Sequence, residues 1–440
     1  MSELVFEMAS ADLSAPPSLA PAAERPQGVR YSYIPVSFVS GDPTAIGPPL
    51  PFSGVQFSEI LRGVGELSAS LQLADQSVRA LRPWELIYPR KTGVVVVRSS
   101  RDALGVETHQ PLQLYIVWAR PSAADTGRFE IKAQTVESLW ARRLITGPPR
   151  PGDWVPTNAD PGDLSWSQVD QAAMVADLLD PSQFSQLGEG AGAFPGWITV
   201  DPPANMTGVL RDFTYRRDQQ TNLLEAHQDR SLVQNGYEWR TSIRLLSGED
   251  ALDPGAVFRC QFLLGYPRLG RRYGSDRIPR IAFHVDGRGN ALAPAFTFDG
   301  SGVANAVWGN GAGYDDSTVR AVATHSAEWD NGLLITEARY SNPDVRIQST
   351  LQQYTNNYLV QTLVNERYIN DVTVRGDLIP YFGTYAPGDD ILFITDDATQ
   401  EHGETGYLSR IMGWRVTPPE GKKAERVAFV LNGGQVTING

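Results

Sequence analysis

The stretch YAPGDDILFITDD, residues 385–397, sets four aspartates around a short apolar run. The aspartates form two pairs, at 389–390 and 396–397, and the apolar residues at 391–394 separate them. A short run that is apolar at every position predicts a strand with both faces buried. The Pro-Gly dipeptide at 387–388 predicts a turn before the strand, where aspartate is also favoured. This stretch therefore predicts a buried strand with acids at its ends.

The same acids leave two chemical interpretations open. A four-residue strand spans about 13 Å, which is too far for both aspartate pairs to share one ion directly. A calcium ion could instead bind on the C-terminal side of the strand, where several carboxylates follow one another. That set would be Asp396, Asp397, Glu401 and Glu404. A catalytic carboxylate pair is the other alternative, although no histidine or partner acid is specifically placed for it.

Length and composition limit the class of protein. A chain of 440 residues is too long for one compact core, so two to four domains are expected. The 41 glycines and 31 prolines favour strands and turns over long helices. A net charge of -12 disfavours binding to nucleic acid or anionic membranes. The single cysteine, Cys260, excludes an internal disulfide and fits assembly inside a cell.

The N-terminal region lacks targeting signals and has the composition of a linker. The first residues carry acids and no long apolar run, so we expect no signal peptide among them. No stretch of ~18 apolar residues occurs, and no membrane span is expected. Residues 9–30 are rich in Ala, Pro and Ser, so order in this arm would come from a neighbouring chain. Its short apolar start, Leu4, Val5 and Phe6, is a candidate subunit interface.

Strand patterns recur along most of the chain. Alternating apolar and polar residues in GELSASLQLAD (65–75) predict a half-buried strand. Further strands are expected in GVVVVRSS (93–100), LQLYIVWAR (112–120) and FEIKAQTV (129–136). Several strands separated by polar turns are typical of an antiparallel barrel or sandwich.

A short helix is expected in ESLWARRLI (137–145), and three longer helical segments follow after residue 164. Apolar periodicity predicts helices over about 167–180, 218–235 and 344–366. The expected organisation is an extended arm (1–50), a first β domain (51–150), a middle α+β domain (151–298) and a second β domain with one long helix (299–440). Strands of the middle domain could rejoin the first. The fold class is therefore mainly β with α+β insertions, in several domains.

Motifs for common catalytic and cofactor sites are absent from the sequence. Neither a G-x-S-x-G elbow nor a P-loop occurs. Structural zinc requires closely spaced Cys and His, but the five histidines are far apart and there is one cysteine. We therefore expect no enzymatic activity, no cofactor and no metal site.

One basic cluster stands out in this acidic chain, at YPRLGRRYGSDRIPR (266–280). A solvated loop between two strands is the simplest interpretation. A subunit interface through Arg268, Arg271 and Arg272 is the second, because arginine suits bidentate pairing across interfaces. Phosphate binding stays open as a third interpretation.

Four segments, taken in order, resemble a known family. They are GELSASLQLAD, FEIKAQTVESLWARRLI, ANAVWGNGAG (304–313), and YAPGDDILFITDD together with GYLSRIMGWRVTPPEGKKAERVAFVL (406–431). They are similar to segments of the minor tail proteins of long-tailed phages, in the family of baseplate or tail-tip hubs. The resemblance covers roughly residues 50–440 and leaves the N-terminal arm out.

The resemblance implies a structural virion protein. It implies two similar tube-forming, β-barrel-like domains per chain, and a homotrimer whose six domains form a ring that continues the tail tube. Phage DNA would pass through the lumen without specific binding, and an acidic wall would not hold its phosphates. Expected partners are the distal tail protein, the tape-measure protein and other tail-tip proteins. The expected location is the virion tail tip, after assembly in the host cytoplasm.

Two other classes of function stay open at this point. A tail-associated cell-wall hydrolase would need an acid or metal site in a cleft. A carbohydrate-binding adhesion protein would display some of the ten tryptophans on its surface.

Overall fold

The computed structural model describes most of the chain from residue 27 onward. The described ranges are 27–39, 41–101, 105–123, 127–145, 164–179, 198–200, 207–216, 219, 221–233, 235–273, 281–284, 290–292, 295–298, 300–343, 345–363, 367–370, 372–396, 404–432 and 437–439. Strands dominate these ranges, and most of them belong to one large connected sheet. Four parts of the fold can be distinguished: the first half, the middle unit, the second half and the outer unit.

The first half is an antiparallel sheet built from residues 27–135. Its elements are β1 (Gln27–Ser37), β2 (Thr44–Ala45), β3 (Ser53–Ile60), β4 (Glu66–Gln72), α1 (Gln76–Ala80), α2 (Pro83–Leu86), β5 (Thr92–Arg101), β6 (Glu107–Ala119), β7 (Ser122–Ala123) and β8 (Arg128–Thr135). Its main strands pair in the order β3–β4–β8–β6–β5–β1. Residues alternate between buried and exposed along β8, because only one of its faces is covered.

The middle unit follows in sequence and covers the outer face of β1 and β5. Its elements are α3 (Glu137–Trp140), β9 (Leu164–Asp170), α4 (Gln171–Leu179), β10 (Ile198–Val200), β11 (Leu210–Tyr215), α5 (Leu223–Leu232), β12 (Glu238–Ser247) and β13 (Val257–Gly265). Val95 and Val97 of β5 pack in one core with Trp140, Trp239 and Phe262 of the middle unit. This second covered face explains why four valines in succession are fully buried in β5.

The second half and the outer unit share the C-terminal part of the chain. Their elements are β14 (Ala282–His284), β15 (Ala291–Leu292), β16 (Ala295–Phe298), β17 (Ala306–Asn310), β18 (Arg320–Thr324), α6 (Ser326–Asp330), β19 (Glu337–Ser341), α7 (Gln348–Thr362), β20 (Arg367–Asn370), β21 (Thr373–Arg375), β22 (Asp390–Asp396), β23 (Glu404–Thr417), β24 (Arg426–Asn432) and β25 (Thr437–Asn439). The outer unit, β16 to β20, is inserted between two strands of the second half, and α7 packs on its sheet β18–β17–β19.

The two halves repeat one strand order. The second half pairs as β15–β21–β24–β23–β22–β14. Matching this series to β3–β4–β8–β6–β5–β1 gives the same order in space and also the same order along the chain. The single departure is the outermost pair, which is parallel between β14 and β22 but antiparallel between β1 and β5. The sheet therefore contains two copies of one topology.

Pairing of β3 with the C-terminal part of β23 joins the halves into one sheet. Their inner faces also share one core, in which Val96 and Tyr115 of the first half belong to the same cluster as Phe283 and Phe429 of the second. Among the described residues, β1 does not pair with β3, nor β14 with β15, so each half is an open sheet. The expected class, mainly β with α+β insertions, is confirmed.

The structure places several boundaries differently from the sequence expectations. Residues 27–37 lie in the span expected for the arm but form β1, because Tyr33 enters one core and Ile34 and Val36 enter the other. Strands β14 and β15 lie in the span expected for the middle domain but pair within the second half. Residues 1–26 lie outside the described residues.

The three expected helices are present, in shorter form. They correspond to α4, α5 and α7. Residues 167–170 of the first one extend β9 instead, which pairs with β11. The Asp170 carboxylate then accepts a hydrogen bond from the Ala172 N–H at 2.8 Å and marks the start of α4.

Candidate functional site

The stretch at 385–397 forms the buried strand that its pattern predicts. Ile391 and Phe393 of β22 are fully buried and Leu392 nearly so, which confirms that both faces are covered. The Asp389 carboxylate accepts hydrogen bonds from the Ala386 N–H at 2.8 Å and the Arg271 N–H at 2.7 Å. It thus closes the turn before the strand, as expected for an acid at a strand end.

The acids of this stretch and the arginines of the basic cluster are brought together. The guanidinium of Arg271 lies 2.6 Å from the Asp389 carboxylate, and that of Arg268 pairs with Asp390. Asp390 also accepts a hydrogen bond from the Tyr273 N–H at 3.0 Å. These ion pairs fasten the segment after β13, which belongs to the middle unit, to the second half.

A further ion pair reinforces the same contact. Arg410 of β23 binds the carboxylate of Glu238 of β12 through both terminal nitrogens, one of them at 2.7 Å. The Leu269 N–H donates to the same carboxylate at 2.8 Å. Burial would raise the pKa of Glu238, but the hydrogen bonds and charge of Arg410 outweigh it and lower the pKa. Sequence patterns did not single out either residue.

The two halves are joined by a fully buried pair. Arg98 of β5 donates to the Glu425 carboxylate from Nε at 2.9 Å and from Nη2 at 3.0 Å, and their side chains are 4% and 0% exposed. The hydroxyl of Tyr31 donates to the same carboxylate, and the Gly376 carbonyl accepts from Arg98 at 3.3 Å. One carboxylate thus gathers donors from β1 and β5 of the first half.

An ion pair also joins the first half to the middle unit. Glu59 of β3, 7% exposed, pairs with Arg240 of β12 at 3.1 Å. Burial raises the pKa of Glu59 to about 7; the charge of Arg240 opposes this shift and the nearby Glu137 carboxylate adds to it. Glu137 is itself buried and accepts hydrogen bonds from the Thr241 N–H and hydroxyl at 3.2 and 2.5 Å.

Every pair among the first half, the second half and the middle unit is therefore bridged by charged groups. We call this set of ion pairs the junction: Arg98–Glu425, Glu59–Arg240, Glu238–Arg410, Asp389–Arg271 and Asp390–Arg268. Removing one member of a buried pair leaves an uncompensated charge, which is strongly unfavourable. The arrangement suits a protein whose two sheet halves must keep a fixed relative orientation.

The predicted interface residues have different positions. Leu4, Val5 and Phe6 lie outside the described residues. Arg268 and Arg271 contribute to the junction, whereas Arg272 is exposed. Their role in a subunit interface stays a prediction.

The calcium alternative falls largely outside the described part of the chain. Asp397 and Glu401 are not described, and of Asp396 and Glu404 only the backbone is described. Among the described residues, no three His, Cys, Asp or Glu side chains lie close enough together to hold a metal ion.

A groove of about 540 Å³ opens on the outer face of β3, β4 and β8. Its lining residues are Gln56, Phe57, Ser58, Glu66, Leu67, Ser68, Trp118, Lys132, Ala133, Gln134 and Arg415. The lining contains hydroxyls, amides, one carboxylate and two cations, and it contains no histidine or cysteine. Within the described ranges, no helix is long and apolar enough to cross a membrane.

The fold is that of phage tail proteins. No protein-family model matches this chain, and neither does any curated protein. The solved tail protein from Neisseria meningitidis MC58 aligns over 91% of this chain and 96% of its own, with a TM-score of 0.51 and 11% identity. At this identity the likeness concerns the fold alone, and at that level it confirms the resemblance seen in the four segments.

Two other solved tail proteins align over similar lengths. The 43 kDa tail protein of prophage MuSo2 from Shewanella oneidensis covers 92% of this chain and 100% of its own, with a TM-score of 0.49 and 12% identity. Prophage tail protein gp18 from Listeria monocytogenes EGD-e covers 90% and 94%, with a TM-score of 0.46 and 11% identity.

Proposed function

We propose that this chain is a structural protein of the phage tail tip, a hub that continues or closes the tail tube and connects it to host-attachment proteins. The observation that carries the proposal is the repeated strand order of the two halves, in a chain with the fold of phage tail proteins. Two like sheets per chain are what a subunit needs to contribute two equivalent wall segments to a ring.

The proposed assembly is a homotrimer with six wall segments around a lumen. A ring that transmits force and DNA requires the two segments of each subunit to stay fixed to one another, and the junction supplies this rigidity. Interfaces in such permanent assemblies are expected to exceed ~2,000 Å² per contact. The neighbours in the tail tip would be the distal tail protein and the tape-measure protein. Assembly would take place in the host cytoplasm.

No enzymatic step is part of this proposal. The hub acts through shape and charge: phage DNA passes its lumen during delivery without specific binding, and no cofactor or metal takes part. Further contacts with neighbouring subunits are assigned to Leu4, Val5 and Phe6 of the arm and to the exposed Arg272. These residues supply apolar and bidentate polar contacts of the kinds found at interfaces.

The decisive experiment is the symmetry of the protein in its particle. Electron cryomicroscopy of the tail tip should show three copies in a ring at the end of the tube, with each chain contributing two wall segments. A monomer, dimer or hexamer in the particle would contradict the proposal. Cell-wall lysis in a zymogram, or retention on immobilised glycans, would instead favour a hydrolase or an adhesion protein.

A further inference from the structure

The outer unit leaves one face of its sheet uncovered. Helix α7 covers the other face. On the uncovered face, Trp308 of the central strand β17 lies in register with Val322 of β18 and Arg339 of β19, and all three residues are exposed. Arg320 lies on the same side, two residues before Val322. We call these four residues the open face.

The open face has the chemistry of a protein interface. Trp308 is 52% exposed, yet its indole N–H donates to the Glu337 carboxylate at 2.7 Å, which restricts rotation of the ring. Among the described residues, neither Arg320 nor Arg339 forms a hydrogen bond or an ion pair. Tryptophan and arginine are enriched at the energetic centres of interfaces. A tryptophan held in place between two unpaired guanidinium groups favours a partner that is both apolar and acidic.

The start of the arm has the complementary chemistry. In the stretch MSELVFEM (1–8), Leu4, Val5 and Phe6 are apolar and lie between Glu3 and Glu7. No lysine or arginine occurs before residue 25, so this part of the chain is acidic. An apolar segment bordered by acids fits a tryptophan that is bordered by arginines.

The charges also have similar spacing on the two sides. In an extended segment, the Cα atoms of Glu3 and Glu7 are about 13 Å apart, and Val5 lies between them on the same side. Arg320 and Arg339 lie on the two strands that border β17, offset by two residues. Strand spacing then places their Cα atoms about 12 Å apart, with the tryptophan between them. One extended segment can therefore reach both arginines at once.

The arm is long enough to reach the open face of a neighbouring subunit. Residues 9–26 span at most about 60 Å when fully extended. A compact chain of 440 residues has a radius of gyration of about 22 Å. In the proposed ring, first and second halves alternate, so the first half borders the second half of its own subunit and that of the next one. The outer unit inserted in that next second half is therefore within reach of the arm.

We propose that the arm of one subunit binds the open face of the next subunit in the ring, an inference that rests on the proposed function. Val5 contacts Trp308, and the acids on either side of it pair with the two arginines. Leu4 and Phe6 face the opposite side, where the arm's own subunit covers them. A head-to-tail contact of this kind closes in a ring, so every arm and every open face has a partner.

A disulfide between two differently tagged full-length chains tests this contact. One chain carries Val5→Cys and the other carries Val322→Cys; both are coexpressed, purified together and oxidised. The native Cys260 is fully buried and does not compete. Val430→Cys is the matched control acceptor, because it is similarly exposed but lies on β24 of the second half. The control should give roughly tenfold less crosslinked product, because a bound arm holds its cysteine at high effective concentration beside one acceptor.

Charge reversal separates this contact from chance encounters. Arg320→Glu with Arg339→Glu in the acceptor chain should lower the yield of crosslinked product several-fold, because like charges then face each other. Glu3→Arg with Glu7→Arg in the arm should restore the yield. The proposal is overturned if the first exchange leaves the yield unchanged, or if the second exchange does not restore it.

Light scattering on the same sample distinguishes failure of this inference from failure of the proposed function. A trimer without the crosslink overturns the inference and leaves the ring intact, with the open face bound by another tail-tip protein. A chain that carries both cysteines and crosslinks only within itself overturns the inference as well. A monomer that forms the crosslink at high concentration supports the contact but contradicts the ring, and a monomer without the crosslink contradicts both.

Discussion

Breaking the Arg98–Glu425 pair should be among the most destabilising single changes in this chain. In Arg98→Met, the Glu425 carboxylate would stay buried, and the Tyr31 hydroxyl would be its one remaining side-chain donor among the residues that the structure describes. Truncating one partner of a buried pair costs about 3–5 kcal/mol of unfolding free energy. The pKa of Arg98 also indicates a favourable pair: burial lowers this pKa, but the hydrogen bonds and charge of Glu425 raise it overall.

Removing these polar groups together should cost less than removing Arg98 alone. In Arg98→Met with Glu425→Leu, both charges of this pair are removed, and the cost should fall to about 1–3 kcal/mol because the Tyr31 hydroxyl loses its acceptor. Adding Tyr31→Phe should bring the unfolding free energy close to the wild-type value. Replacing buried ionic groups by apolar ones of similar volume is often neutral.

Urea unfolding followed by circular dichroism at constant pH measures these free energies. The pair Arg101–Glu107 is a matched control, because it joins the neighbouring positions of β5 and β6 at 2.9 Å but is 48% and 32% exposed. Arg101→Met should therefore cost less than about 1 kcal/mol. A cost for Arg98→Met as small as that of the control would refute the argument, and so would a triple variant no more stable than the single one.

Three further predictions concern the arm, a buried histidine and metal ions. Deletion of residues 1–26 should leave the melting temperature of the isolated protein within about 2 °C, while incorporation into particles is lost in a complementation assay; normal particles would exclude a role of the arm in assembly. Burial, with a smaller contribution from Arg230, lowers the pKa of His227 to about 3, so stability should fall as the pH drops from 6.5 toward 3, and His227→Phe should show a flatter pH profile in thermal melts. Chelators, and replacement of Asp396 and Asp397 by Asn, should leave the melting temperature unchanged; a drop of several degrees that calcium reverses would support the calcium alternative.

Local patterns predicted the strands well, because alternation directly reflects which face is covered. Residues 391–393 are buried on both faces, as the composition of the run at 391–394 indicates. The arm boundary was missed for a related reason: Tyr33, Ile34 and Val36 follow a linker-like segment, and their two-sided burial depends on the middle unit folding over β1. That contact is tertiary and has no local signature.

The junction could be predicted only in part. Arg98 stands two residues after Val96, and Glu59 two residues after Phe57, so period-two alternation places both charges on core-facing positions. Sequence alone can thus indicate that these charges need partners. It cannot name the partners, because Glu425 is 327 residues from Arg98 and the Arg268–Asp390 pair is separated by 122. For the same reason, the sequence does not indicate that the acidic stretch pairs with the basic cluster.

The two sheet halves share one strand order, although no repeat is visible in the sequence. The junction suggests why a single arrangement of two such similar halves is stable. Strand order depends on pairing and on which face is apolar, so the two halves can diverge in every residue while keeping one topology. Two similar sheets could, however, also pair in shifted registers. A shift of one residue in β3 would turn Glu59 out of the junction and leave Arg240 buried without a counterion, and a shift in β5 would do the same to Arg98 and Glu425. Because an unpaired buried charge costs about 3–5 kcal/mol, we infer that these few ion pairs favour one arrangement of the halves over others that the apolar core alone would accept.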